Sequence, residues 1–259
     1  MPFTLSHAAA ALPFRRTRLI MSALVVGCMA PDFEYFIPFA HHSAFGHTFP
    51  GVFLFDLPFS LVVLWLYHRF AKEPLAACLP QSARKRLHLG PRSLNIHSIS
   101  QLVLLVFSIL VGVATHLLWD SFTHDGYWLT GRWQFLIEQV DVPVFGPRPW
   151  YGIFQYFSSA FGLFVILLWF LHWYRETQPV HPPPDRRTVI GDRVALACAF
   201  TTALILGLLR AAQFGLPDGV DGLQRFMTKT AVTAISVFSI ELLLYGIVRT
   251  FRRGSMNTA

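Results

Sequence analysis

Residues 115–126 read Thr-His-Leu-Leu-Trp-Asp-Ser-Phe-Thr-His-Asp-Gly. On a helix His116 and Asp120 are i and i+4, neighbours on one face, and one further turn brings His124 onto the same stripe. An imidazole nitrogen and a carboxylate oxygen so placed can share one metal ion, or the carboxylate can orient the ring. A plain helix end, with Asp120 bonding locally, is the competing reading. Pro31-Asp32-Phe33-Glu34 is a second piece. Pro31 halts a helix. If the chain after it is extended, Asp32 and Glu34 point to opposite sides, so one ligand is expected, Asp32. Gly46-His47-Thr48 is a third. His41 and His42 of the same stretch are expected to be solvated. Together these imidazoles and carboxylates suit a divalent metal such as Zn²⁺, with Mn²⁺ the alternative.

The elements that must carry these groups are membrane helices. Of 259 residues, 54% are apolar and only 14% charged, with mean hydropathy +0.48, where a soluble domain has about 25% charged. That excludes a disordered chain, and three cysteines exclude a disulfide scaffold. Apolar runs long enough to span a bilayer occur at about 96–118, 151–173, 194–213 and 229–248, with a fifth at 51–68 that contains Asp56 and Pro58. A shorter run, 19–30, ends at Pro31. Residues 5–30 therefore form either a short first span or a helical hairpin. The expected fold is all-α, a polytopic bundle of about six spans. Its motif-bearing part is 1–174, followed by a Pro-rich linker, 175–193, and a two-helix segment, 194–259.

Sixteen of the 21 Lys and Arg fall on one side of this arrangement, and only Arg132, Arg148 and Arg225 on the other. By the positive-inside rule both termini are expected in the cytoplasm and the His/Asp groups at the outer face of a bacterial inner membrane. The net charge of +7 is then matched to anionic lipid headgroups rather than to nucleic acid. Membrane lipids are the expected partners; oligomeric state is open. His116 lies inside an apolar span, where ionisable groups are costly and usually functional. The aromatic stretch 127–151 is either an interfacial belt or a lid. Arg15, Arg16 and Arg18, followed by an apolar run and Cys28, also fit a lipoprotein signal, whose cleavage removes His7.

Two polar features within spans stand apart from the motifs. Asp56 either pairs with Arg210 or has a metal role. Glu241 is either neutral and bonded to a hydroxyl such as that of Tyr245, or part of an ion path.

In order along the chain, Pro2 to His7 (Pro-Phe-Thr-x-Ser-His), Pro31–Glu34, Gly46–Thr48 and His116–Gly126 resemble an uncharacterised bacterial integral-membrane family allied to the membrane-bound metal-dependent hydrolases. The order of His and Asp motifs is also similar to that of zinc-dependent phospholipase C enzymes. The resemblance implies His7, Asp32, His47, His116 and Asp120 as metal ligands. It adds the acidic Glu34 to His124 as candidate catalytic groups. It implies hydrolysis of a lipid or lipid-linked ester, a phosphoester among them; a non-enzymatic transporter or ion-binding protein is the alternative. The relatives' Arg before the Gly-x-Thr-His segment is missing here, and His172 and Glu176 match the spacing of a later HxxxE pair by coincidence. His7 meets Asp32 only if 5–30 is a hairpin with its basic turn at Arg15–Arg18.

Overall fold

The computed structural model describes residues 4–37, 44–89, 96–143, 145–179 and 186–256; His41 and His42 lie outside them. Five helices are long and apolar enough to cross a membrane: α2 (Phe49–Cys78), α3 (Ile99–Thr123), α4 (Trp150–Glu176), and the apolar stretches Val189–Ala212 of α5 (Arg186–Ala212) and Gly219–Arg252 of α6 (Gly219–Met256). Each continues past the apolar run that marks it in the sequence, because a helix stops at caps and breakers rather than where hydropathy falls. α3 starts at Ser98, whose Oγ accepts from the amide of Gln101, and α2 starts at Thr48, whose Oγ1 accepts from that of Gly51. The fold is the all-α bundle expected, with one small ribbon among the described residues: β1 (Gln139–Val142) pairs antiparallel with β2 (Gly146–Pro149), Val140 opposite Arg148.

The chain divides into two compact units, one from Met1–Glu34, His41–Leu64 and Ile96–Trp173, the other from Tyr35–Ala40, Trp65–Asn95 and Tyr174–Ala259.

In the first unit the N-terminal stretch is a hairpin. Thr4–Arg16 is a 3₁₀ helix, α1 (Met21–Gly27) is seven residues long, and Ala30–Phe36 is again 3₁₀. α1 rises only ~10 Å, too short to span a bilayer. The 3₁₀ helix rises ~26 Å at ~2.0 Å per residue, so thirteen residues reach much deeper than the same number in an α-helix. The exposed Arg15, Arg16 and Arg18 lie at its tip. The chain then returns: the Thr4 hydroxyl donates to Asp32 Oδ2 at 2.7 Å. Ala11, Leu24 and Cys28 pack in the seam, with Phe14, Val25 and Val111 around them. The hairpin lies flush on α3 because two glycines leave room. A Cβ on Gly112 would stand 2.7 Å from the amide nitrogen of Cys28 and closer to the Leu24 carbonyl, and one on Gly27 would meet the Ile109 carbonyl. Small residues at such crossings are the usual means of close backbone approach in membranes. The amide of Ile20 donates to Ser108 Oγ, twelve residues or ~18 Å along α3 from Asp120.

In the second unit α5 and α6 run antiparallel, as the order of their partners shows. Gly207 packs on the Thr230 carbonyl, and further along Asp192 meets Arg249. Arg249 chelates Asp192 through Nε and Nη2 at 2.7 and 2.8 Å and reaches Glu73 with Nη1, while Tyr245 donates to Asp192. Two expected pairings differ. Thr202, not Tyr245, donates to Glu241 Oε1, and Arg210 donates to Gln213 Oε1 and lies over the Phe214 ring rather than pairing with Asp56.

Candidate metal centre

Asp32, His47, His116 and Asp120 offer ligand atoms that all lie within 4.8 Å of one another. They come from three separate pieces of backbone in the first unit. Asp120 is one turn beyond His116 on α3, as the i, i+4 spacing requires, and Asp32 stands on the returning arm of the hairpin. His47 ends a short 3₁₀ turn, Phe45–His47, entered through Ala44 at φ 55°. A left-handed conformation is uncommon for a residue with a side chain; here it turns the chain toward Asp32 immediately before the start of α2.

His116 Nε2 is 3.3 Å from His47 Nε2 and from Asp120 Oδ2, and His47 Nε2 is 3.3 Å from Asp120 Oδ2. Asp32 Oδ1 is 3.8 Å from each imidazole. Four ligands at ~2.1 Å around a tetrahedral ion stand ~3.4 Å apart, so the observed edges enclose a volume the size of a zinc ion. Three of the four residues are almost wholly buried. The tautomer of His116 is set: its Nδ1 lies 2.8 Å from the Cys28 carbonyl, which can only accept. Nδ1 therefore carries the proton and Nε2 keeps its lone pair facing the cluster.

Around this core lie the other sequence-derived residues. His7, fully buried, stacks on His116 with ring centroids 4.0 Å apart and approaches Asp120 Oδ1 to 3.5 Å with Nε2. It lies outside the five spans. Burial first, then the nearby His116 imidazole, pushes its pKa down to about 3 against the pull of Asp120, so it is neutral at pH 7. It touches the centre from behind and is not one of the four clustered ligands. His124 does not continue the helix; it caps α3 in an extended conformation, yet its Nδ1 is 3.5 Å from Asp120 Oδ2 and its side chain is 22% exposed. Burial lowers its pKa as well. Glu34 is buried on the same 3₁₀ turn as Asp32 and accepts from the Phe45 amide at 3.1 Å. The expected extended backbone there is replaced by that turn, and it still separates the two carboxylates: Asp32 joins the four, Glu34 holds the His47 segment. His172 lies seventeen residues, or ~26 Å of helix, beyond Gln155, whose Nε2 is 3.4 Å from His124 Nε2.

Several contributors carry little sequence signal. Thr4, in the opening Pro-Phe-Thr-x-Ser-His segment, holds Asp32. Tyr127 presents its ring edge-on to His47, 5.7 Å between centroids, and Gln155 reaches His124. Nothing in the local pattern marks either one. Cys28 is buried, with Sγ 3.3 Å from Thr115 Oγ1.

A family model described as Domain of unknown function (DUF4184) matches residues 1–247. No curated protein and no solved structure matches the chain.

Proposed function

We propose that this chain, which belongs to the family Domain of unknown function DUF4184, is a membrane-embedded metal-dependent hydrolase acting at the outer leaflet interface. The observation that carries the proposal is the convergence of ligand atoms of Asp32, His47, His116 and Asp120 within 4.8 Å of one another. Without a cation, two buried carboxylates and two imidazole nitrogens converge on one small volume at membrane depth, an arrangement that costs free energy and serves no packing role.

Two nitrogens and two carboxylate oxygens suit Zn²⁺, with Mn²⁺ also compatible. Bound there, the metal would lower the pKa of a water toward ~7 and supply hydroxide. The partly exposed His124 stands beside the four side chains that would hold the ion. Neutral His124, steadied by Gln155 and Thr123, is the proton carrier of this scheme. His7 packs behind the centre, stacked on His116 and 3.5 Å from Asp120.

The sidedness rests on charge. Site residues stand at the start of α2 and the end of α3, while Arg84, Lys85, Arg86 and Arg92 follow α2 at its other end. The positive-inside rule then faces the site outward in a bacterial inner membrane, with the hairpin tip dipping toward the cytoplasmic leaflet. Where both ends of the chain were expected in the cytoplasm, a first stretch that is a hairpin and not a span would leave Thr4 on the outer side. A site at this depth favours a lipid or lipid-linked ester as substrate.

The decisive experiment is metal analysis of the detergent-purified protein against His116→Ala/Asp120→Ala. The native chain should retain zinc and the double variant should not; equal metal content would remove the basis for the proposal.

A further inference from the structure

Asp56 is the buried group that the centre above leaves unexplained. It closes a π-helical turn, Val52–Asp56, in the second turn of α2. Such turns re-aim a side chain relative to a regular helix and are frequent at functional sites. Its side chain is wholly buried, and neither carboxylate oxygen has a hydrogen-bond partner. It points back at the loop that carries His47: a Cβ on Gly46 would stand 2.8 Å from Asp56 Oδ1 and 2.7 Å from the Pro31 carbonyl oxygen. Glu34 flanks the same loop. One of its oxygens takes the Phe45 amide and the other, Oε1, is buried with no hydrogen-bond partner. Among the described residues no Lys or Arg forms an ion pair with Asp32, Glu34, Asp56 or Asp120.

Two of these buried carboxylates, Asp56 and Glu34, thus keep oxygens that no donor satisfies, which is unfavourable at membrane depth. A proton on Asp56 would itself lack an acceptor, whereas a divalent ion would satisfy the free oxygens at once. We infer that Asp56 and Glu34, together with the Pro31 carbonyl oxygen, form a second cation position beside the first. Its donors are oxygens only, so it takes a harder ion such as Mn²⁺ or Mg²⁺, while the nitrogen-containing cluster takes zinc. This inference rests on the proposed metal centre and makes the site binuclear.

The test titrates zinc-loaded, detergent-purified protein with Mn²⁺, following free Mn²⁺ by electron paramagnetic resonance and bound zinc by elemental analysis. One Mn²⁺ per chain beyond one zinc is expected. Asp56→Asn should weaken Mn²⁺ binding by at least ~10-fold, the loss typical when even an outer partner of a metal is removed, with zinc retained. Glu34→Gln should weaken it likewise and serves where Asp56→Asn does not fold, as judged by gel filtration. Zinc-loaded native protein that binds no Mn²⁺, or variants that bind it as the native chain does, overturns the second position and leaves the first standing. Native protein that binds neither ion overturns both.

Discussion

His116 and Cys28 are joined across 88 residues: the imidazole Nδ1–H donates to the Cys28 carbonyl oxygen at 2.8 Å. One bond thus ties the metal-facing lone pair of α3 to the backbone of the N-terminal hairpin. Since the acceptor is main chain, Cys28→Ala should keep zinc content unchanged, whereas His116→Ala should lose it. A loss of roughly 100-fold in affinity corresponds to ~2.7 kcal/mol. Competition with a zinc-sensitive dye reads both; a Cys28→Ala protein without zinc would show that the thiol, not the carbonyl, matters.

The hairpin needs Gly112. A side chain there meets Leu24 and Cys28 backbone atoms, which cannot move aside as a flexible side chain can. Gly112→Val is expected to destabilise the protein by at least ~1–3 kcal/mol, the usual range for overpacking. The midpoint of thermal unfolding in detergent measures it. Metal should be lost in parallel, because Asp32 sits on the arm that is pushed away.

Thr4 holds Asp32 through a buried hydrogen bond of 2.7 Å. Thr4→Val leaves Asp32 Oδ2 without that donor and should cost about 1–3 kcal/mol, seen as weaker zinc binding, whereas Thr4→Ser should restore it. Equal zinc affinity in all three proteins would place Thr4 outside the centre.

His7 makes stability depend on pH. Its folded pKa of about 3 lies below the ordinary imidazole value of ~6.5, so the unfolded chain binds the proton that the folded chain refuses. Its neutral form is fully accommodated above pH ~6.5, and stability declines as pH falls from there toward 3, by at most ~1.4 kcal/mol per pH unit. Thermal unfolding of chelator-treated protein at pH 7.5 and pH 5 tests this. His7→Gln should flatten the difference; an unchanged slope would assign it to other groups.

Chelation gives the remaining check. If the four-residue centre holds an ion in the native state, removing it leaves the carboxylates of Asp32 and Asp120 facing each other with no cation between them. The unfolding midpoint should fall on treatment with a chelator and return on adding Zn²⁺. A midpoint indifferent to both would mean the cluster is held by its hydrogen bonds alone.

Much of this was legible along the chain because it is local. Five apolar stretches identify five candidate membrane helices, since a continuous apolar run of about 20 residues fits a spanning helix and is too long for a barrel strand. The His116–Asp120 juxtaposition follows from the 3.6-residue period, whatever the rest of the chain does. Contacts between distant segments had no such period to read. The reach of His7 to Asp120 depends on a 3₁₀ rise that hydropathy does not encode, and on Gly27 and Gly112 admitting the hairpin against α3. The same holds for Asp56. Its span was evident, but its aim at Gly46 arises from a π-helical turn and from the fold of the Phe45–His47 segment. Composition and spacing determined which groups exist and which of them share a helix with an apolar run. Which of them meet was decided by backbone approach between segments tens of residues apart, where steric fit, and not local propensity, sets the outcome.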